Sequence, residues 1–152
     1  TPQPKAKYAK KRLVHVDHLM LYRPLFSAGA TVTLRTDSKP LRDYALGQFA
    51  AAGYDALWVS DDVRRDHPEH PETEYECRTR EMGAVVYGIC ATPGAEPTEE
   101  QLAAGRAQEQ SLACYLPDDL DELAYVPLGM EEAVENFKNR ARKGKKRLPQ
   151  ER

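Results

Sequence analysis

Apolar residues recur along the chain at two spacings, one typical of helices and one typical of strands. The region after residue 40 has the helical spacing of three or four positions, which gives a helix one buried face. The residues on this face are Leu41, Tyr44, Ala45, Phe49 and Ala52. Asp37 or Ser38 can cap the start of the helix, Pro40 fits its first turn, and Gly53 can end it. The pattern predicts a helix between residues 39 and 52.

Alternating or continuous apolar residues predict strands on both sides of this helix. The segments TVTLR (31–35) and YDALWVS (54–60) flank it, and strand–helix–strand is typical of a βαβ unit with two parallel strands. Further strands are predicted at 13–22, 74–80 and 84–91, the last two joined by a hairpin at Met82-Gly83. AYVPL (124–128) predicts an edge strand because it contains a proline.

Two more helices complete the predicted fold. Thr98 and Gln101 have the spacing of a capping box and predict a second helix that runs toward Tyr115. A third helix, closed by Gly144, follows from the spacing of Met130, Ala133, Val134, Phe137 and Ala141. We therefore expect a single small α/β or α+β domain, with a mixed sheet of about four to five strands covered by three helices.

Charge is segregated along the chain, although the net charge is only −2. Residues 1–12 carry +5 and residues 138–152 carry +7, which leaves −14 on residues 13–137. This pattern predicts a basic N-terminal arm (1–12), an α/β domain (13–143) and a basic C-terminal arm (144–152). An uneven distribution of charge along a chain gives information about its binding partners rather than about its fold.

The charge pattern favours a non-catalytic structural or connector subunit of a larger assembly, such as a virus-type particle or a nucleoprotein complex. The basic arms would hold neighbouring protein chains, including copies of this one, or nucleic acid, since Lys and Arg neutralise phosphates without reading sequence. The residues predicted to bind partners or phosphate are Lys7, Lys10, Lys11, Arg12, Arg140, Arg142, Lys143, Lys145, Lys146 and Arg147. This interpretation requires no cofactor and predicts a cytoplasmic location or one within the assembled particle.

Three carboxylates support an alternative interpretation. Asp37 follows the first predicted strand of the βαβ unit, and Asp61 and Asp62 follow the second. The carboxyl ends of neighbouring parallel strands meet at one edge of a sheet, where ligands gather. Carboxylate oxygens suit Mg²⁺, so the alternative is a Mg²⁺-dependent nuclease or phosphotransferase.

The four histidines form two HxxH pairs, HVDH (15–18) and HPEH (67–70). A loop could wrap a metal through His67, His70 and Cys77, and a zinc-stabilised interaction module is a third alternative. The leading interpretation assigns no metal to the chain. Prolines prevent HPEHP from forming a regular helix, and surface histidines in a solvated loop are common.

Several function classes lack their sequence signals. The chain has no GxxxxGK[ST], no GxGxxG after a strand, no GxSxG and no HExxH. Three widely spaced cysteines do not form a disulfide framework. No apolar run approaches the roughly 20 residues of a membrane span. The apolar stretch at 13–21 is broken by His15, Asp17 and His18, so we expect no export by a signal peptide.

Overall fold

A computed structural model describes residues 2–120 and 123–147, with the backbone alone at residues 141 and 143–147. Its three strands are β1 (Val32–Thr36), β2 (Tyr54–Ser60) and β3 (Tyr87–Pro93). The α-helices are α1 (Val16–Tyr22), α2 (Lys39–Ala51), α3 (Val63–Asp66), α4 (Glu74–Glu81), α5 (Glu99–Ala107) and α6 (Glu131–Arg147). Short 3-10 helices lie at Ala6–Lys11, Arg23–Leu25 and Leu112–Tyr115. The mixed α/β class is confirmed, but within the described residues the sheet has three strands and there are six α-helices rather than three.

The sheet has the order β1-β3-β2, with both outer strands antiparallel to β3. Val32 pairs with Ala91 in one ladder, and Ser60 pairs with Gly88 in the other. The two strands that flank α2 are therefore not hydrogen-bonded to each other, because β3 lies between them. Since both are antiparallel to β3, β1 and β2 still run in the same direction, and their carboxyl ends lie at one edge of the sheet.

Two segments predicted as strands are helices. In residues 13–22, the buried residues Val16 and Leu19 are three positions apart, and the Nδ1 of His15 caps α1 by accepting from the backbone N–H of Asp17. In residues 74–80, Thr73 and Glu76 form a capping box that starts α4. In both segments the cap and an i, i+3 buried pair outweigh the alternation of apolar residues.

Three predicted boundaries also need correction. Helix α5 ends at Ala107, and a separate 3-10 helix reaches Tyr115. Residues 124–128 form no strand, because the hydroxyl of Tyr125 and the backbone N–H of Leu128 are bound to the side chain of Asp37 instead of to a neighbouring strand. Helix α6 continues past Gly144 to Arg147.

Helix α2 packs one face against the sheet and the other against α1 and α5. Tyr44, Phe49 and Ile89 are fully or almost fully buried in this core. Gln48 is also fully buried, and it joins three helices: its Oε1 accepts from the N–H of Val16 at 2.8 Å, and its Nε2 donates to the carbonyl of Gly105 at 2.7 Å. A satisfied buried amide of this kind fixes the relative placement of α1, α2 and α5.

We expect His15 to make the fold sensitive to mild acid. Burial lowers the pKa of His15, so the unfolded chain takes up its proton at a higher pH than the folded chain does. The contribution of His15 to stability is therefore complete above the unfolded pKa of about 6.5, and it is lost as the pH falls toward the lower folded pKa. Protonation also removes the Nδ1 lone pair that caps α1.

The variant His15→Asn keeps a good capping acceptor and does not titrate. Between pH 7.5 and 5.5 its melting temperature, measured by circular dichroism, should fall less than that of the unchanged chain. Equal falls would show that His15 does not carry the acid sensitivity.

Candidate functional site

A cavity of about 290 Å³ lies at the carboxyl end of β1. Its polar side chains are Arg12, Arg35, Thr36, Asp37 and Tyr75. Its apolar lining includes Leu13, Val14, Leu34 and Leu41. An apolar cavity with a few convergent polar groups is the usual form of a small-ligand site.

Asp37 is the central acceptor of this cavity. It lies between β1 and α2 and is 8% exposed. Its Oδ2 accepts from the hydroxyl of Tyr125 at 2.7 Å and from the N–H of Leu128 at 3.2 Å. Its Oδ1 accepts from the hydroxyl of Tyr75 at 3.3 Å, which is long for a hydroxyl donor. Because a carboxylate oxygen has two lone pairs, Oδ1 keeps capacity to accept from a ligand.

The two tyrosines around Asp37 remain hydrogen-bond donors at neutral pH. Burial raises the pKa of both Tyr75 and Tyr125, and the Asp37 carboxylate raises them further. Their hydroxyls therefore hold the Asp37 side chain in one orientation, with each carboxylate oxygen fixed from a different side.

Arg12 contributes a buried cation, one nitrogen of which has no hydrogen-bond partner. The residue is 3% exposed, and its Nε and Nη2 donate to the carbonyl of Gln3 at 3.0 Å and 2.7 Å. Its guanidinium lies over the ring of Tyr44, 4.5 Å from the centroid. The remaining nitrogen, Nη1, is buried and has no hydrogen-bond partner. A buried donor without a partner is costly, so a ligand acceptor at this position would be stabilising.

Arg35 connects α4 to the sheet and so places Tyr75 in the cavity wall. Its Nε lies 3.1 Å from Oε1 of Glu76, a residue that is only 6% exposed, and its Nη1 donates to the carbonyl of Pro71 at 2.8 Å. Glu76 also accepts from the N–H of Thr73 in the capping box. One ion pair therefore orients both the helix start and the loop before it.

A second cavity, of about 410 Å³, lies on the other side of Asp37. It is more apolar, and its aromatic lining comprises Tyr87, Tyr115 and Tyr125. Asp37 thus lines both cavities, and Tyr125, which donates to it, lines the second.

The structure does not bring the three predicted metal-binding carboxylates together. Asp37 binds the two tyrosines, whereas Asp61 pairs with Nη2 of Arg42 at 2.7 Å. The hydrogen bond and the charge of Arg42 lower the pKa of Asp61. Asp62 caps α3 by accepting from the N–H of Arg65. Each carboxylate has a separate structural partner.

His67 and His70 do lie together, but their companion is Glu69. One ligand atom from each of these three residues lies within 4.8 Å of the other two, and no other such group of three His, Cys, Asp or Glu side chains occurs in the described part of the chain. Cys77, which the sequence placed in this group, lies on α4 and is not part of it.

The predicted basic residues take different positions. The ammonium groups of Lys7 and Lys11 lie about 5 Å from the ring of Tyr8, and Lys10 is exposed. Arg140 lines a cavity between the N-terminal segment and α6, and Arg142 is exposed. The side chains of Lys143, Lys145, Lys146 and Arg147, and all of residues 148–152, are outside the description. The division into two arms and a domain stays a prediction.

The site also contains Arg35, Tyr75 and Tyr125, which were not predicted from the sequence. The signal for Tyr75 was present, since Thr73 and Glu76 have the spacing of a capping box. That spacing places Tyr75 in the first turn of a helix. Nothing local in the sequence indicates that Tyr125 reaches Asp37, 88 positions away.

The chain is similar to bacterial proteins named tRNA (guanine-N(7)-)-methyltransferase. It is 32% identical over 92 residues to the protein of that name from Streptococcus equi subsp. zooepidemicus, a match that covers 60% of this chain and 44% of the relative. It is 33% identical over 91 residues to the one from Alkaliphilus oremlandii, covering 59% of this chain and 43% of the relative. The chain thus spans less than half the length of the curated relatives it matches. No model of a known protein family matches it.

These relatives correct the predicted function. Their names point to an enzyme, so the prediction of a non-catalytic structural or connector subunit, in a virus-type particle or other assembly, is wrong. The predicted partners, protein subunits of an assembly, are wrong for the same reason, since the relatives are named for tRNA. The charge pattern misled because basic residues bind phosphate in enzymes and in assemblies alike.

Within residues 2–120 and 123–147, no helix combines the length and the apolar character that crossing a membrane requires.

Proposed function

We propose that this chain is part of an enzyme that methylates guanine in tRNA, and that the cavity at the end of β1 receives the guanine base. The proposal rests on Asp37, a buried carboxylate whose Oδ1 can still accept a hydrogen bond. The cavity around it is lined by two arginines and a tyrosine. The names of the relatives supply the substrate class. With a tRNA substrate, the activity would take place in the cytoplasm.

A carboxylate suits guanine better than the other bases. The Watson–Crick edge of guanine has two neighbouring donors, N1–H and the N2 amino group, and an ionised carboxylate only accepts hydrogen bonds. Adenine has an acceptor, N1, at the corresponding position, which a carboxylate would repel. Specific recognition of RNA commonly uses this edge of unstacked bases.

The size and the lining of the cavity agree with an extruded base. Enzymes that modify bases, methyltransferases among them, take the target base out of the stack and hold it in a small pocket. A volume of about 290 Å³ is at the lower end of ligand pockets, as a single base requires. The positive charges of Arg12 and Arg35, which both line the cavity, would attract the phosphate beside that base.

The cavity at the end of β1 suits guanine, but the residues around β1 do not form the usual kind of binding site for the methyl donor. The donor of tRNA methyltransferases is S-adenosylmethionine, and nucleotide-like ligands are usually held at a glycine-rich turn between a parallel strand and a helix. Here β1 is followed by Asp37, Ser38 and Lys39, and both ladders of the sheet are antiparallel. We therefore assign this chain a role in binding the guanine and derive no step of methyl transfer.

Calorimetric titration with guanosine, inosine and adenosine monophosphates tests the proposal. Guanine can donate both N1–H and its N2 amino group to Oδ1 when the long bond from Tyr75 is released. Inosine differs from guanosine only in lacking the N2 amino group, so it retains one of these two bonds to Asp37. We expect guanosine monophosphate to bind at least about tenfold more tightly than inosine monophosphate, which corresponds to about 1.4 kcal/mol. Equal affinity for the three nucleotides, or no binding of any, would refute the assignment of the cavity to guanine.

A further inference from the structure

We propose that His67, Glu69 and His70 form a binding site for a divalent transition-metal ion of the zinc and nickel class. The site lies in the loop between α3 and α4, outside the lining of the proposed guanine cavity. Neutral imidazole and carboxylate are ligands that these ions accept readily.

Two of the three distances between the ligand atoms are close to those around such an ion, and all three lie within 4.8 Å. Nδ1 of His67 lies 3.4 Å from Oε1 of Glu69, and Nε2 of His70 lies 3.9 Å from the same oxygen. Ligands bound tetrahedrally at about 2.0–2.1 Å lie about 3.3–3.4 Å from each other. The first pair is already at that separation, and the second has to approach by roughly half an ångström, which a side-chain rotation can supply.

The ring of His67 is held in place by Trp58 on β2. The two rings are stacked, with centroids 4.0 Å apart and planes inclined by 24°. The ring of His70 meets the same indole edge-on, with a centroid distance of 5.7 Å. A ligand ring that is already oriented loses less conformational entropy when it binds an ion.

The backbone of the loop is also fixed before any ion binds. The N–H of His70 donates to the carbonyl of His67 at 3.1 Å, and Nη2 of Arg64 donates to the carbonyl of His70 at 2.6 Å. Pro68 and Pro71 restrict the backbone on both sides of Glu69 and His70. The histidine side chains are 22% and 31% exposed, so the site is open to solvent and leaves a coordination position for water.

The ion would steady one wall of the guanine cavity. The loop that contains the site continues through Pro71, whose carbonyl accepts from Arg35, to Thr73 and the start of α4. Tyr75 follows in the first turn of that helix. A metal at His67 and His70 would thus stabilise the segment that carries Tyr75 without contacting the cavity itself.

Tryptophan fluorescence tests the proposal directly, because Trp58 is the only tryptophan in the chain. The chain, free of any affinity tag and treated with a chelator, is titrated with nickel chloride and, separately, with zinc chloride. We expect a saturable change in Trp58 emission with one ion per chain, including quenching by nickel. His70→Gln and Glu69→Gln should each weaken binding at least about tenfold, since the loss of even a group that only orients a metal ligand typically costs about 10–100-fold.

The matched control is Glu100→Gln, which removes an exposed carboxylate from the first turn of α5 and should bind as the unchanged chain does. Far-ultraviolet circular dichroism confirms that each variant is folded. A titration without saturation below millimolar metal would overturn the proposal. So would an affinity that is unchanged in His70→Gln and Glu69→Gln. Neither result bears on nucleotide binding, so this test and that of the proposed function fail separately.

Discussion

Replacing Asp37 with asparagine should remove the preference for guanosine over inosine monophosphate. The side chain keeps its shape, and its single oxygen is expected to turn toward the two donors that fix Oδ2, the hydroxyl of Tyr125 and the N–H of Leu128. The amide NH₂ then points toward Tyr75 and the cavity, where it opposes the donors of guanine. Such a pair of hydrogen bonds is worth about 1–3 kcal/mol, so the affinity for guanosine monophosphate should fall about tenfold or more.

The control for this variant is Asp118→Asn, which makes the same chemical change at an exposed position away from the cavity. Calorimetry of both variants, together with their melting temperatures, separates lost recognition from lost stability. A variant Asp37→Asn that is folded and still prefers guanosine monophosphate would show that Asp37 does not read the base.

Replacing Gly105 with leucine should cause a large loss of stability. A Cβ at this position would lie 2.5 Å from the Cβ of Ala51 and 3.3 Å from a methyl of Val16. Helix α5 would have to move away from α1 and α2, which would also break the bond from Gln48 to the carbonyl of Gly105. Overpacking and a broken buried hydrogen bond together should cost about 3 kcal/mol or more.

Chemical denaturation measures this loss, and the control is Ala103→Leu, which adds the same side chain at an exposed position of α5. The control should change the free energy of unfolding by less than about 0.5 kcal/mol. The variant Gly105→Leu should melt roughly 6–12 °C lower than the unchanged chain. Similar stabilities of the two variants would contradict the close packing of α5 against α2.

Local signals in the sequence predicted the elements that carry their own start and stop residues. Helix α2 was predicted from the Ser38 cap, Pro40 and Gly53, and the structure has all three in these roles. Helix α4 was missed although Thr73 and Glu76 have the same spacing as Thr98 and Gln101, which identified α5. Alternation over seven residues was a weaker signal than a capping box, because exposed polar residues also alternate on a short helix.

The order of the strands could not be predicted, because pairing joins residues that are distant in sequence. Placing β3 between β1 and β2 depends on contacts such as Leu34 with Ile89, which no local pattern specifies. Strand direction was predicted correctly for β1 and β2, and Asp37 was rightly placed at the end of β1. The partners of Asp37 could not be inferred, since Tyr75 and Tyr125 come from segments that were assigned to strands.

Photochemical crosslinking of tRNA to this chain tests the guanine cavity most directly. A tRNA transcript containing 6-thioguanosine, which keeps the N1 and N2 donors, is mixed with the chain and irradiated, and the attached peptides are mapped by mass spectrometry. We predict that the crosslinks fall on the cavity lining, at residues 34–37, at Leu41 or at Tyr75, and that excess unmodified tRNA prevents them. Crosslinks confined to other surfaces would contradict the assignment. A transcript that contains 4-thiouridine instead, and that crosslinks to the same residues with equal yield, would also contradict it.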